Sequence, residues 1–448
     1  MKIMRFHYLF TFMLIFSLGL LGGCQSEKTD MSEILGTVPA DASAVITVNL
    51  HNLIEKGGGK IEGSKILPGK DIEEMMKRAV ADSVSNRNIR AIFNGETGID
   101  PSVAVFFIEG MEQYVTGYLA DPEKFKEYVK NETSYPFTDE NGVERSGNMA
   151  VKGNQFWIHA NHNNDINSDD IARFAGLSEK LSFMNNPYAK HLASAEQDIS
   201  GWASLNCIYG MADMSFATRT LVAMGMALVF TDAQSVNFDA NFGKGEFTTT
   251  LSLLDSKCNP ARFNLPVDRI DVGLVKNLSQ SGDMIIAMAI SERLVTEIEK
   301  GLKDKNVPGV DLLMQSLGAI DGTCVFELGE DGMKGTLTTK GEGTVNLSDM
   351  LNEMFDANVT KDGKILHFAK GDEVSGAIIN EKVADAFRGA MFGMVVSPDA
   401  SPSTQIFKMH MRDMVTVMSP KEGSMELKAT VSSDNEKENF LLTMVKSM

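Results

Sequence analysis

Apolar and polar residues alternate from residue 44 to residue 50, near the start of the chain. A period of two predicts a β-strand with one buried face and one exposed face. A short helix should follow through Leu53 and Ile54, and the glycines at 57–59 should end it. The buried strand face would hold Ile46, Val48 and Leu50, with Thr47 and Asn49 on the other face.

The same pair of elements recurs at residues 284–302. Alternating Met and Ile predict a strand, and the spacing of the next apolar residues predicts an amphipathic helix. Both helices should end in the tripeptide Glu-Lys-Gly, at 55–57 and at 299–301. The apolar strand face would hold Met284, Ile286, Met288 and Ile290, and the helical stripe Leu294, Val295, Ile298 and Leu302.

The elements downstream also follow one order twice. The first half should contain a hairpin around Glu109-Gly110, a helix from Asp121-Pro122, and a hairpin at 150–158. The second half should contain a hairpin at 323–339, a helix through Leu347 and Leu351, and a hairpin at 359–366 with an Asp-Gly turn. Near its end, each half should have a strand, at 202–208 and 405–411, followed by paired strands, at 235–254 and 425–444.

This order predicts an α+β fold made of two similar tandem halves, each an antiparallel sheet with helices packed on it. The halves would span residues 38–256 and 266–448, joined by a linker at 257–265 that begins Cys258-Asn259-Pro260.

The first 23 residues are typical of a secretory signal peptide. Lys2 and Arg5 are followed by 13 mostly apolar residues, 9–21, too few to span a bilayer as a permanent helix. The sequence Leu21-Gly22-Gly23-Cys24 resembles a bacterial lipobox, which predicts cleavage before Cys24 and lipidation of its thiol. A soluble secreted protein with an incidental Cys24 is the alternative.

Residues 24–37 are predicted to form the lipidated tether, because residues 25–30 contain nothing apolar to bury. Gln25, rather than Asp, follows the cysteine and favours the outer membrane, on its periplasmic or cell-surface face. Asp82-Ser83-Val84 matches a short glycosylation pattern of Bacteroides-type bacteria, which makes Ser83 a candidate acceptor.

Charge excludes one class of partner. The full chain has 42 basic and 60 acidic residues, and the signal contains two of the basic ones, so the remainder has a net charge of 40 minus 60, or −20. Such a surface repels nucleic acid and anionic headgroups. The apolar stretch 216–230 contains Arg219 and predicts a buried or amphipathic helix instead of a membrane span.

Three cysteines follow Cys24, an odd number that leaves at least one thiol free. Cys207 and Cys324 lie in apolar, strand-like stretches and are expected to be buried structural thiols.

The candidate metal ligands lie at residues 159–170. His159 and His162 are three residues apart, which suits a divalent ion if they lie on a helix, although the flanking residues favour a strand entering a loop. Asp165, Asn167 and Asp169 alternate as calcium-loop ligands do, but Asp170 and Gly176 replace the Gly and Glu of that motif. Exposed loop side chains without a metal are the alternative.

No nucleophile elbow, Walker loop or dinucleotide fingerprint occurs in a suitable context, so neither catalytic residues nor a cofactor is predicted. One alternative is a lipid-anchored hydrolase or glycan-processing protein that uses a carboxylate pair, which would require two facing acids in a deep cleft. Another is a cation- or glycan-binding module around residues 159–170.

Several stretches together resemble an uncharacterised family of Bacteroidetes lipoproteins, a domain of unknown function. They are the lipobox, residues 37–45, residues 53–58, and Thr97-Gly98-Ile99-Asp100-Pro101 ahead of a predicted strand. The resemblance implies an envelope lipoprotein and supplies no catalytic residues. We therefore expect a non-enzymatic lipoprotein that binds or scaffolds an unknown envelope protein or glycan.

Overall fold

The structure is a computed structural model of the chain. It describes residues 31–78, 90–133, 135–160, 168–194, 197–211, 226–227, 229–276, 279–280, 284–302, 314, 317–328, 332–341, 347–349, 351–352, 356–370, 377–378, 381–396 and 411–447. The chain divides into two compact units. Unit 1 comprises residues up to 215 together with 234–247 and 435–448, and unit 2 comprises residues 216–233 and 248–434.

Unit 1 is built on an antiparallel sheet with β1 near its middle. In the described part of the unit, the strands run in the order β11-β10-β1-β4-β5-β9-β8-β7-β6. Strands β2 and β3 form a separate hairpin. The strands are β1 (Ala44–Asn49), β2 (Lys60–Glu62), β3 (Lys65–Leu67), β4 (Ile99–Glu109), β5 (Glu112–Leu119), β6 (Thr138–Glu140), β7 (Val143–Ser146), β8 (Met149–Lys152), β9 (Gln155–His159), β10 (Ile199–Ser204) and β11 (Ser235–Phe242).

Helices cover both faces of this sheet. Phe125 and Val129 of α4 lie on one face, in a core with Phe156 of β9. Short helices and 3₁₀ turns, at 173–176, 179–181 and 183–185, lie on the other face. The helices are α1 (Ser32–Leu35), α2 (Leu50–Lys56), α3 (Lys70–Arg78), α4 (Pro122–Thr133), α5 (Ser168–Ala172), α6 (Ala189–Ser194) and α7 (Leu205–Met211), with the last helix of the chain, Phe440–Ser447, also in unit 1.

Unit 2 is also built on an antiparallel sheet, centred on β14 and β15. Its described strands run in the order β12-β22-β21-β20-β14-β15-β16-β18-β17. The strands are β12 (Glu246–Leu254), β14 (Met284–Ile290), β15 (Ile320–Leu328), β16 (Met333–Thr339), β17 (Asn358–Asp362), β18 (Ile365–Lys370), β20 (Phe392–Val396), β21 (Met411–Lys421) and β22 (Ser424–Ser433), with a small ladder of β13 (Ser279–Gln280) and β19 (Ala377–Ile378).

Unit 2 also has helices on both faces of its sheet. Phe387, which follows α10, packs on β14 and β20 in one core. Leu347 and Leu351, from the helix predicted there, pack on β16 and β18 in another. The helices are α8 (Val272–Lys276), α9 (Glu292–Leu302) and α10 (Glu381–Ala386), and the last helix of the chain, in unit 1, is α11 (Phe440–Ser447).

The predicted fold class is confirmed at this level: helices pack on large antiparallel sheets. The two units also share a strand order. In unit 1, β1 lies between β10 and β4, followed by β5, β9 and β8. In unit 2, β14 lies between β20 and β15, followed by β16, β18 and β17.

A glycine faces a phenylalanine across two neighbouring strands in each unit. Gly117 is paired with Phe156, and a Cβ on the glycine would lie 2.9 Å from the Phe156 ring. Gly335 is paired with Phe368, and a Cβ there would lie 2.2 Å from the ring. Because glycine has no side chain, the phenylalanine ring can lie over the neighbouring strand. The ring then fills the core space that a side chain at the glycine position would occupy.

The central strands differ from the prediction in burial. Thr47 and Asn49, predicted on the exposed face of β1, are buried, whereas Ile46 is only half-buried. In β14 the fully buried face holds Ile285, Ala287 and Ala289, not the Met and Ile residues of the predicted face. A strand in the middle of a covered sheet is buried on both faces, so alternation along it does not identify an exposed side.

The ends of the two halves also differ from the prediction. The strand predicted at 202–208 is instead β10 followed by helix α7, which begins at Leu205. The paired strands predicted at 425–444 are instead β22 followed by helix α11. Residues 405–410 lie outside the described residues. The apolar residues of 440–445 are spaced for one helical face, which the strand interpretation overlooked.

The fold begins before the predicted start at residue 38. Met31, Ile34 and Leu35, which lie in the tether predicted at 24–37, are fully buried. The predicted linker also packs: Ala261 is fully buried, in a core of unit 2 with Phe230. Residues 1–30, with the signal and Cys24, lie outside the described residues.

The prediction that Cys207 and Cys324 are buried is confirmed. Both residues are free thiols. Cys207 lies in helix α7 instead of a strand. Burial raises the pKa of Cys324 to about 12, which keeps it a thiol. Among the described residues, no helix has the length and hydropathy to cross a membrane.

Candidate functional site

The candidate ligands at 159–170 begin at the end of strand β9. His159 is the last residue of that strand, and it is buried, not exposed in a loop. Its N–H donates to the carbonyl of Asn148, and its carbonyl accepts from the Asn148 side chain. His162, Asp165 and Asn167 lie outside the described residues. Asp169 lies in helix α5, and the placement of its side chain is likewise undescribed.

The His159 ring forms a close pair with a carboxylate. Its Nε2 lies 2.7 Å from Oε2 of Glu112, the first residue of β5. The His159 side chain is fully buried, whereas Glu112 is 42% exposed. In the described part of the chain, His159 Nδ1 is buried without a hydrogen-bond partner. Glu112 therefore orients the ring and leaves one imidazole nitrogen unpaired.

Aromatic rings surround this pair. Tyr114 lies 5.1 Å from the His159 ring and 5.0 Å from that of Phe107, and Phe174 packs edge-on against both Tyr114 and Phe107. Burial raises the pKa of Tyr114 to about 12, assisted by the negative charge of Glu109, so the phenol stays neutral.

A charged pair lies beside the rings. Arg173 bonds to Glu109 and places its guanidinium carbon 4.6 Å from the centre of the Phe174 ring. Together these contacts hold the ends of β4, β5 and β9 against the turn at 173–176. These contacts therefore have a structural role: they fix the strand ends and the turn relative to one another.

The described ligands are too few for a metal centre. Among the residues that the structure describes, no three His, Cys, Asp or Glu side chains converge to hold an ion. His159 offers one nitrogen, and structural zinc sites use four ligands.

A second polar cluster contains Ser, His and Asp in the wrong order for nucleophilic catalysis. Ser200 Oγ donates to Asp239 Oδ1 at 2.6 Å, and His191 Nε2 lies 3.4 Å from the same oxygen. In a catalytic triad the histidine lies between the serine and the acid, where it can remove the serine proton. Here the acid lies in the middle, so Ser200 has no imidazole base.

Each buried carboxylate in the described part of the chain contacts a cation. Asp198 lies 2.6 Å from Lys56, Glu327 lies 3.2 Å from Lys334, and Asp413 bonds to Arg412. These three acids therefore serve as ion-pair partners instead of the facing pair that a glycan hydrolase needs.

Lys56 and Asp198 form an ion pair in which the carboxylate has no exposed area. Asp198 is fully buried, and it also accepts a hydrogen bond from the Phe242 N–H. Burial raises the pKa of Asp198, opposed by the charge of Lys56 and by these hydrogen bonds. The pair joins the end of helix α2 to strands β10 and β11. The sequence contained no signal for it, because 142 residues separate the partners.

Thr37 connects the amino-terminal segment to the sheet. Its hydroxyl accepts hydrogen bonds from Gln155 Nε2 at 2.8 Å and from Trp157 Nε1 at 3.2 Å. Gln155 also bonds to Thr116 on β5. Gln155, Thr116 and Trp157 are buried, Thr37 is half-buried, and their bonds hold residue 37 on the sheet of unit 1.

Comparison with known proteins identifies no family. No protein-family model matches the chain, and no curated protein matches it significantly. Two solved structures, crystal forms I and III of TP0453, are 9% identical, with TM-scores of 0.28 and 0.29. They match over 78% of this chain and over 96% and 95% of their own chains. A TM-score this low carries no inference about fold or function.

Proposed function

We propose that the protein is a lipid-anchored envelope protein, held on the outer membrane through Cys24, that binds or scaffolds a partner. The observation that carries the proposal is the lipobox at residues 21–24. Met31 is buried, so only the polar residues 25–30 separate Cys24 from a buried residue. We extend the proposal to membership of the Bacteroidetes lipoprotein family that the lipobox and residues 37–45, 53–58 and 97–101 resemble.

The N-terminal contacts support an anchored body. Met31 donates its N–H to the carbonyl of Ala193, and Thr37 accepts from Gln155 and Trp157. Because both backbone and side-chain hydrogen bonds hold this segment on unit 1, a lipid on Cys24 would keep the whole unit close to the membrane. This arrangement suits a protein whose work depends on where it is held.

The polar chemistry favours binding over catalysis. The buried acids contact cations, and the Ser200 cluster lacks the order of a triad. The partner is an envelope protein or glycan, because a net charge of −20 on the chain after the signal opposes nucleic acid.

We further propose that the two units arose by tandem duplication. Three observations support this: the shared strand order, the Gly117–Phe156 and Gly335–Phe368 pairs, and a helix over each pair. The helices contribute apolar residues four apart, Phe125 with Val129 and Leu347 with Leu351.

Labelling and cross-linking in intact cells test the two parts of the proposal. Wild-type protein should incorporate an alkyne-tagged fatty acid and fractionate with the outer membrane. Cys24→Ser should lose both properties, whereas the matched control Cys258→Ser should keep them. Cross-linking should then capture a specific envelope protein or glycan. Turnover of a small substrate by protein without such a partner would refute the binding role.

A further inference from the structure

Met31 places one surface of unit 1 close to the lipid. Seven Cα–Cα steps join Cys24 to Met31, and a fully extended chain spans at most ~25 Å over that length. Met31 is 1% exposed and donates to the carbonyl of Ala193 in helix α6, so its position on the body is fixed. The surface around Met31 therefore lies within reach of the headgroups whenever Cys24 carries its lipid.

This surface includes an exposed apolar side chain. Leu181 is 61% exposed and ends the 3₁₀ turn Glu179–Leu181. Its carbonyl accepts from the N–H of Ala40 at 2.8 Å, and the N–H of Phe183 donates to the carbonyl of Val38 at 2.7 Å. The turn is thus bonded to the same segment, 31–40, that continues the tether.

Charges of both signs lie beside Leu181. Lys180 precedes Leu181 in the turn, and Lys190 lies on α6, about 4.5 Å along the helix axis from Ala193. Both lysines are exposed, as are Glu33 and Glu179 nearby. Asp41, which follows Ala40, is exposed as well, so the surface holds three anions and two cations, and its lysines are the groups that can extend to lipid phosphates.

We propose that this surface, defined by Lys180, Leu181 and Lys190, contacts the bilayer, with Leu181 inserted among the headgroups. The proposal rests on the lipid anchor at Cys24. Burial of a leucine side chain at the boundary between headgroups and acyl chains favours membrane binding. Flanking lysines can extend their ammonium groups to the lipid phosphates. The contact gives the anchored body a fixed orientation, with this surface of unit 1 toward the membrane.

Lipid-dependent quenching at Leu181 tests the contact. Leu181→Cys would be made in the full chain with Cys258→Ser, labelled with an environment-sensitive fluorophore, and reconstituted as lipidated protein in phosphatidylethanolamine–phosphatidylglycerol vesicles. Met111→Cys is the matched control, because Met111 is 83% exposed at the tip of the β4–β5 hairpin. Both substitutions are at exposed sites, and the remaining thiols, Cys207 and Cys324, are buried.

Headgroup-proximal quencher lipids should quench the label at 181 about twofold more than the label at 111. Lys180→Glu with Lys190→Glu should remove that difference. Equal quenching at 181 and 111 would overturn the contact. Mass analysis of Cys24 in the same sample separates the two ideas: an unmodified Cys24 refutes the anchor, whereas a lipidated Cys24 with no quenching at 181 refutes the contact alone.

Discussion

The sheets of units 1 and 2 are covered in the same way on one face and in different ways on the other. On the shared face, a Gly–Phe pair lies under a helix in each unit. On the other face, the position after Phe156 holds Trp157, paired with Thr116, and both are fully buried. The position after Phe368 holds Ala369, paired with Lys334, which contacts Glu327.

The difference shows which part of unit 1 is specialised. Its second face is covered by the amino-terminal segment, whose Thr37 accepts from Trp157 and Gln155. The corresponding positions of unit 2 form an ion pair instead. Sheets with the same strand order thus have different second faces in the two units. The second face in unit 1 contacts the segment that leads to the proposed anchor.

The largest expected effect comes from the buried ion pair of unit 1. Lys56→Ala would leave Asp198 fully buried and without its cation, which should cost about 3–5 kcal/mol of unfolding free energy. Both tryptophans, Trp157 and Trp202, lie in unit 1, so their fluorescence during urea unfolding reports this unit. Lys124 is the control, because it is exposed on helix α4 of the same unit, and Lys124→Ala should cost less than about 0.5 kcal/mol. Equal effects would contradict the account.

The glycines of the shared face should differ in tolerance. A Cβ at Gly335 would lie 2.2 Å from the Phe368 ring and 2.6 Å from the carbonyl of Val325. At Gly117 the nearest ring atom is 2.9 Å away and the Val103 carbonyl 3.3 Å. Gly335→Ala should therefore cost about 2–3 kcal/mol and Gly117→Ala about 1 kcal/mol. Hydrogen exchange of peptides from β16 and β5 measures each effect, and a larger loss at Gly117 would contradict the packing described.

Thr37→Val should loosen the segment specific to unit 1. The change keeps the shape and removes the acceptor of two buried donors, so we expect a loss of about 1–2 kcal/mol. Trp157 fluorescence in a Trp202→Phe background would follow it. Thr138→Val, at an exposed position of edge strand β6 in the same unit, is the control and should change little. An unaltered urea midpoint for Thr37→Val would show that these bonds do not hold the segment.

Asp198 gives the stability of unit 1 a pH dependence. Its pKa is raised in the folded state, so the folded protein binds this proton more tightly than the unfolded chain. The resulting stabilisation is present below the ordinary value of 3.8 and is lost as the pH rises through the folded pKa. Asp198→Asn should remove this contribution, of at most about 1.4 kcal/mol per pH unit. Urea midpoints between pH 4 and about 7 would show it, and identical slopes for both proteins would contradict it.

Thiol reactivity should give the smallest effect, on rates and not on stability. Cys258 is partly exposed and should react first with an aromatic disulfide reagent in the folded protein. Cys324 of unit 2, buried and with its pKa raised to about 12, should react only after unfolding. Rapid reaction of Cys324 in the folded state would show that its core opens.

Local patterns predicted the hairpins well. The strands on either side of Glu109-Gly110 and of the Asp362-Gly363 turn form where expected, as does helix α4 after Asp121. These elements depend on residues close in sequence, such as Gly363 with its positive φ of 57°.

Long-range features were not predictable in the same way. The sequence suggested Ile46 as inward and Thr47 as outward, yet coverage of both faces buries Thr47. Asp198 and Lys56 are distant in sequence, and nothing local indicates that they pair. His159 was predicted at a strand end, but its burial against Glu112 depends on a neighbouring strand.

The most direct test of the account is mass spectrometry of the amino-terminal peptide of the protein purified from its native membrane. The account predicts that Cys24 is the first residue and carries a diacylglyceryl thioether. An amino terminus at another residue, or an unmodified Cys24 in the membrane-associated protein, would contradict it.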